Sequence, residues 1–131
     1  MSSNKMMELT LEERKSKSSE LMKKDPLRVP IILESQNELW DLPMLFVNKN
    51  FQCNVILKCL RENPKTKARH SITMNCNNMI ISPDKIIETV YESNKNEDGF
   101  LHIKLMEMDA NGWKYFYQNF NLLKLKMAKF F

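Results

Sequence analysis

Glycine is the residue that takes positive φ without strain and lets two backbones pass closely. This chain of 131 residues has two, Gly99 and Gly112, both inside the stretch EDGFLHIKLMEMDANGW, residues 97–113. Gly99 precedes an apolar run and permits a turn there at any φ. Gly112 is followed directly by Trp113 and by a segment of different character. Prolines supply the other punctuation: Pro26 and Pro64 bar helices from continuing, and Pro83 can open one.

The chain is long enough for one domain with appendages. Its 43% hydrophobic and 27% charged residues fit an ordinary globular composition with a modest single core. No run reaches the ~18–20 apolar residues that span a bilayer. The N-terminal MSSNKMMELTLEERKSKSSEL lacks the apolar stretch of a secretory signal, so a cytoplasmic location is expected. Cys53, Cys59 and Cys76 form neither a CxxC pair nor an even-numbered disulfide set, and His70 and His102 stand apart from them. Reduced, buried thiols are expected, with no metal and no cofactor. The net charge of +4 is placed unevenly. Lys114, Lys124, Lys126 and Lys129 follow Gly112 with no acid among them, and setting those four aside leaves basic and acidic residues equal in number. A neutral body without a basic stripe argues against nucleic-acid binding. No catalytic Cys–His pair in a recognisable setting and no phosphate-binding glycine loop is present, so an enzyme is not expected.

Periodicity divides the chain. Residues 9–24 read as a helix, with Thr10 and Glu13 at capping-box spacing. Leu21 and Met22 turn to a core, and Arg14, Lys15, Lys17, Lys23 and Lys24 form a wet face. RVPIILE (28–34) and MLFV (44–47) read as a strand pair, with Pro30 limiting the pairing. Residues 50–62 read as a helix with Asn50 as N-cap and Phe51, Val55, Ile56, Cys59 and Leu60 at helical spacing. SITMN (71–75) reads as a strand, CNNMIIS as a turn and a short strand, and the segment opened by Pro83 as a short helix. FLHIKLM (100–106) alternates Phe100/His102/Lys104 against Leu101/Ile103/Leu105, a strand with one apolar face. After the first helix the order is ββαββαβ, an α+β pattern with the β-grasp among its arrangements.

Two stretches resemble the autophagy-related protein 8 family, also called the light chain 3 and GABA-receptor-associated protein family. One is EERKSKSSELMKKDPLRVPIILES, with Pro26, Arg28, Val29, Pro30, Ile31 and Glu34 in the family's strand pattern. The other is NN at 77–78 followed by TVYESNKNEDGFLHI, with Tyr91, Glu92, Lys95, Asp98, Gly99, Phe100 and Leu101. The likeness spans about residues 10–112. It implies an α+β fold, a ubiquitin-like β-grasp with an added N-terminal helical segment: a helical extension over 1–25, the β-grasp over 26–112 and a C-terminal extension over 113–131.

The resemblance also implies a function. A processing cysteine protease cuts after Gly112. Activating and conjugating enzymes of the ubiquitin-like pathway carry the new carboxylate as a thioester. It is then joined to phosphatidylethanolamine of the autophagosomal membrane, where the protein acts in autophagosome formation. Short peptide motifs of cargo receptors dock by adding to an edge strand. A first pocket is implied at Leu21, Pro30, Phe46 and Phe100, a second at Leu45, Val47, Phe51, Ile56 and Cys59, with Arg28 near the groove. All of these are also core-type residues, and core is the better reading for Ile56 and Cys59. The chain departs from the family pattern in four places. WDLPM replaces the usual basic residues before the docking strand, Arg61 stands alone where several basic residues usually end the helix, Asn111 replaces an aromatic, and residues 113–131 are long and rich in aromatics and lysines. That last segment reads either as a disposable propeptide or as an interfacial amphipathic tail. The alternative to conjugation is an uncleaved ubiquitin-like binding module whose tail contacts a membrane or a partner.

Overall fold

The computed structural model describes residues 2–35, 42–62 and 71–108. The elements are α1 (Ser3–Met7), α2 (Leu11–Lys24), β1 (Arg28–Ser35), β2 (Leu45–Asn48), α3 (Asn54–Glu62), β3 (Ser71–Cys76), β4 (Met79–Ile81), α4 (Ile87–Asn94) and β5 (Leu101–Met108). The strands form one mixed sheet in the order β2-β1-β5-β3-β4. Its central pair, β1 and β5, is parallel, with Ile31 opposite Leu101 and Leu33 opposite Ile103. The other pairs are antiparallel. β2 is thus one edge of the sheet and β4 the other.

β1 is a nearly continuous apolar run because both its faces are covered. Val29, Ile31 and Leu33 join Leu101, Ile103 and Leu105 of β5 in the main core, with Ile56 and Leu60 of α3 and Ile87, Val90 and Tyr91 of α4. On the opposite face Ile32 and Phe100 form a second cluster with Met6 of α1, flanked by Leu9, Leu21 and Met44. The expected alternation of FLHIKLM therefore holds, with Phe100 and His102 on the α1/α2 side. Pro30 sits where β1 lacks a β5 partner, one residue before the pairing begins at Ile31, so its missing N–H leaves no gap in that ladder.

The turns follow residue chemistry. Gly99 has φ +83, and Asn77 and Asn78 have φ 50 and 65 in the β3–β4 turn. Two consecutive positive-φ residues suit a tight hairpin, and asparagine tolerates that region better than most. Thr10 caps α2 as its spacing requires: its hydroxyl accepts from Glu13 N–H, and the Glu13 carboxylate accepts from Thr10 N–H.

Several expectations need correction. α1 has no counterpart in the periodicity, being too short to show any; Ser2 caps it by accepting from Lys5 N–H. The helix read over 50–62 starts at Asn54, and Asn50 is not its cap. Asn50 N–H donates instead to the Asn48 side chain in a turn, and Gln52 bridges to Ile86. Phe51, placed on the apolar face of that helix by spacing, lies in the turn and is 51% exposed. Pro83 does not open a helix. Its carbonyl takes Asn54 N–H at 2.8 Å, Lys85 O takes Cys53 N–H at 2.8 Å, and α4 begins four residues later at Ile87. The helical geometry gives way because Pro83 and Lys85 supply the acceptors for the start of α3. Arg14, read as part of the wet face, turns inward to Asp98. Trp40, Asp41, Asn63, His70, Asn111, Gly112 and 113–131 lie outside the described residues.

Candidate functional site

Among the described residues β2 is tied to the sheet on one side only. Lys49 N–H donates to Leu27 O at 2.9 Å, next to a register that pairs Arg28 with Asn48 and Ile31 with Leu45. Bonded and non-bonded pairs alternate in an antiparallel ladder. Val47 and Leu45 are therefore bonded to β1, and the N–H and C=O of Phe46 and the N–H of Asn48 point away from it, whereas Asn48 O accepts Phe51 N–H at 3.1 Å. That free edge offers an added strand the Phe46 N–H and C=O and the Asn48 N–H.

The side chains divide by face. Phe46 stands opposite Pro30, and cross-strand partners share a face. Their face is that of Ile32 and Phe100, against which Leu21 of α2 packs. Leu21, Pro30, Phe46 and Phe100 are thus brought to the same side. Leu45 and Val47 lie on the other face, with Ile56 and Cys59 of α3 in the main cluster. Phe51 stands apart in its turn. Burial sorts these residues further. Phe100 and Ile56 are fully buried and Leu45 nearly so, whereas Leu21, Phe46, Val47 and Cys59 are half-buried and present surface. Ile56 therefore backs the site instead of facing it, as its core reading holds.

Arg28 reaches the free edge. Its Nη1 donates to the outward carbonyl of Phe46 at 3.1 Å, and its Nε pairs with Asp25 at 3.1 Å. One cation is thereby fixed at an edge whose neighbouring residues lack the basic run of the family pattern.

The floor of the first group is held by a polar network that spacing alone did not disclose. Asp98 is 2% exposed. Its Oδ2 meets Arg14 Nε at 3.0 Å and His102 Nε2 at 2.7 Å, and its Oδ1 accepts Phe100 N–H at 2.9 Å. His102 Nδ1 lies 3.3 Å from Glu34 Oε1. The Ser18 hydroxyl donates to Asp98 O at 2.6 Å, and the Tyr91 hydroxyl donates to Gly99 O at 2.7 Å. α2 is thus bolted to the turn that launches Phe100. The i, i+4 spacing of Asp98 and His102 did not announce this network, because the residues lie on a turn and a strand.

The thiols are unsuited to nucleophilic work. Burial, with Cys76 nearby, pushes the Cys53 thiol up to about 11, and burial also raises Cys59 and Cys76. Among the described residues no group of three or more His, Cys, Asp or Glu side chains is placed to hold a metal, and no helix is long and apolar enough to cross a membrane.

Comparison with known proteins agrees with this architecture. Autophagy-related protein 8e of Arabidopsis thaliana is 28% identical over 101 residues, 74% of this chain and 83% of that protein. Autophagy-related protein 8 of Schizosaccharomyces pombe is 25% identical over 100 residues, 73% of this chain and 83% of its own length. Among solved structures, Trypanosoma brucei ATG8 superposes with a TM-score of 0.67 at 24% identity, covering 76% of this chain and 89% of that one. Plasmodium falciparum Atg8, solved in complex with a Plasmodium falciparum Atg3 peptide, gives 0.65 at 19% identity, covering 76% and 91%. Residues 13–112 match the family described as autophagy protein Atg8, ubiquitin like, and with the β-grasp sheet and its N-terminal helices in place, this chain belongs to that family of ubiquitin-like autophagy proteins.

Proposed function

We propose that the protein is a lipid-conjugated modifier. It is cut after Gly112, carried by the activating and conjugating enzymes, joined to phosphatidylethanolamine, and docks short extended peptides of cargo receptors along β2. The observation that carries the docking reading is the free β2 edge, with outward-facing Phe46 backbone groups and half-buried apolar side chains on both faces. The peptide seen with the Plasmodium relative supports it. Conjugation at Gly112 is supported by family membership and by the residue type: a bare backbone threads narrow enzyme sites without a side-chain clash. A two-chain lipid also anchors better than the marginal grip of one acyl chain, at ~0.8 kcal/mol per buried CH₂.

Two measurements test the reading. In titration calorimetry with an aromatic-x-x-aliphatic peptide, Phe46→Ala and Val47→Ala each weaken binding by about 1–3 kcal/mol, the usual loss for a truncated anchor, and Lys49→Ala changes it little. Equal losses at all three positions remove the docking claim. Intact mass of the protein from its native cell tests conjugation. A species ending at Gly112, absent in Gly112→Ala, supports it. A full-length chain supports the uncleaved binding module, the reading that Asn111 in place of an aromatic favours.

A further inference from the structure

Phe100 poses a problem for the docking reading on which this inference rests: a residue implied as a pocket wall is fully buried. Met6 of α1, itself fully buried, packs with Phe100 and Ile32. The N-terminal segment also reaches the start of the docking strand. Ser2 pairs with Pro43 in an antiparallel bridge, and Ser3 N–H donates to Leu42 O at 2.9 Å. The Ser3 hydroxyl is wedged into the sheet, where it accepts Leu33 N–H at 3.0 Å and donates to Pro43 O at 2.9 Å.

We propose that α1 is an internal occupant of the first docking pocket: Met6 fills the place of the peptide's aromatic side chain over Phe100, and a docking peptide must displace it.

The exchange is favourable in its details. The next bonded pair after Ile31 and Leu45 is Leu33 and Pro43. With Ser3 withdrawn, Leu33 N–H and Pro43 O face each other and can close the ladder directly, so neither buried group is orphaned. α1 has five residues, too few to be stable without its packing. It can therefore leave without disturbing α2, which is held separately through Arg14 and Ser18 to Asp98. Methionine is unbranched and adaptable, a filler more easily replaced than a rigid ring. The consequence is selectivity, because only a ligand whose side chain outcompetes Met6 gains the pocket. The apparent affinity of every ligand is lowered by the small fraction of molecules with the pocket open.

The test uses the full-length protein, an aromatic-x-x-aliphatic peptide, and methionine labelled with ¹³C at the methyl group. On peptide addition the Met6 methyl resonance should leave its position beside the Phe100 ring for that of an exposed methionine. In calorimetry Met6→Ala and Ser3→Ala should each bind the peptide about fivefold or more tighter than wild type, and Met6→Leu, which keeps the plug, should bind like wild type. If Met6→Ala does not unfold cooperatively on heating, Ser3→Ala and the wild-type methyl signal decide. A Met6 methyl that stays in place while the peptide binds, or affinity unchanged or reduced in the unplugged variants, overturns this inference and leaves the docking reading intact. No binding by wild type or by either unplugged variant overturns the docking reading itself.

Discussion

Gly99 shows how a single residue sets the geometry of the site. Its φ of +83 is strained for any side chain, and a Cβ built there would clash with the Ser18 hydroxyl. That hydroxyl is not free to move, since it holds the Asp98 carbonyl. Gly99→Ala should therefore cost about 2 kcal/mol or more in urea unfolding, above the ~1–2 kcal/mol of left-handed strain alone. In a Ser18→Ala background the same substitution should cost less, because the nearest clashing atom is gone; additive losses in the double-mutant cycle would show that the clash is not the cause. The need for a glycine at 99 was legible in the sequence, as a turn before an apolar strand. The packing against Ser18, 81 positions earlier in the chain, was not, because no local pattern encodes which helix residue will face a distant turn. The same holds for Arg14, whose neighbours on α2 are solvated and whose partner Asp98 belongs to another element.

At the scale of elements, the segments that carry their own stop and start signals were readable. α2 has its capping box, and its end is fixed near Pro26. Thr10→Ala should remove the bond to Glu13 N–H and lower stability by about 1 kcal/mol, with the urea m-value unchanged; a change in m instead of the midpoint would mean that α2 no longer packs in the native state. The elements misread are those whose ends are set by other elements. α3 starts late because residues 50–53 are spent on bonds to Asn48, Lys85 and Ile86, and α4 starts late because residues 83–85 supply the complementary acceptors. Apolar spacing at Phe51 and the proline at 83 were honest local signals that this mutual pairing overrode. α1 was invisible for a different reason: five residues hold no periodicity, and its stability comes from Met6 and Ser3 reaching the sheet.

At the scale of the whole molecule the charge distribution separates the body from its C-terminal extension. Formal charge balances through Gly112, and the excess lies in four later lysines set among aromatic residues. If that segment attracts anionic membranes, each lysine near the surface contributes about 1 kcal/mol, and the attraction should fade as added salt shortens the screening length to about 3 Å at 1 M. The full-length protein should then sediment with anionic vesicles at low salt and less at high salt, retaining some binding through its aromatic side chains. A chain ending at Gly112 should not sediment. Equal sedimentation of both would make the segment a passive propeptide, and would leave membrane attachment to conjugation or to the basic residues of α2.

The sequence by itself determined the alternation of β5, the apolar strand pair of β1 and β2, the capped α2, and the family whose fold joins them, because these rest on local periodicity and on motifs of a few residues. Tertiary structure alone decided which residues of the implied pockets are open. Leu21, Phe46, Val47 and Cys59 present surface, while Phe100 and Ile56 are sealed, the first beneath Met6 and the second in the core. An apolar side chain reads the same in a sequence whether it lines a groove or fills one. The difference lies in what covers it, and here the cover of Phe100 arrives from the opposite end of the chain.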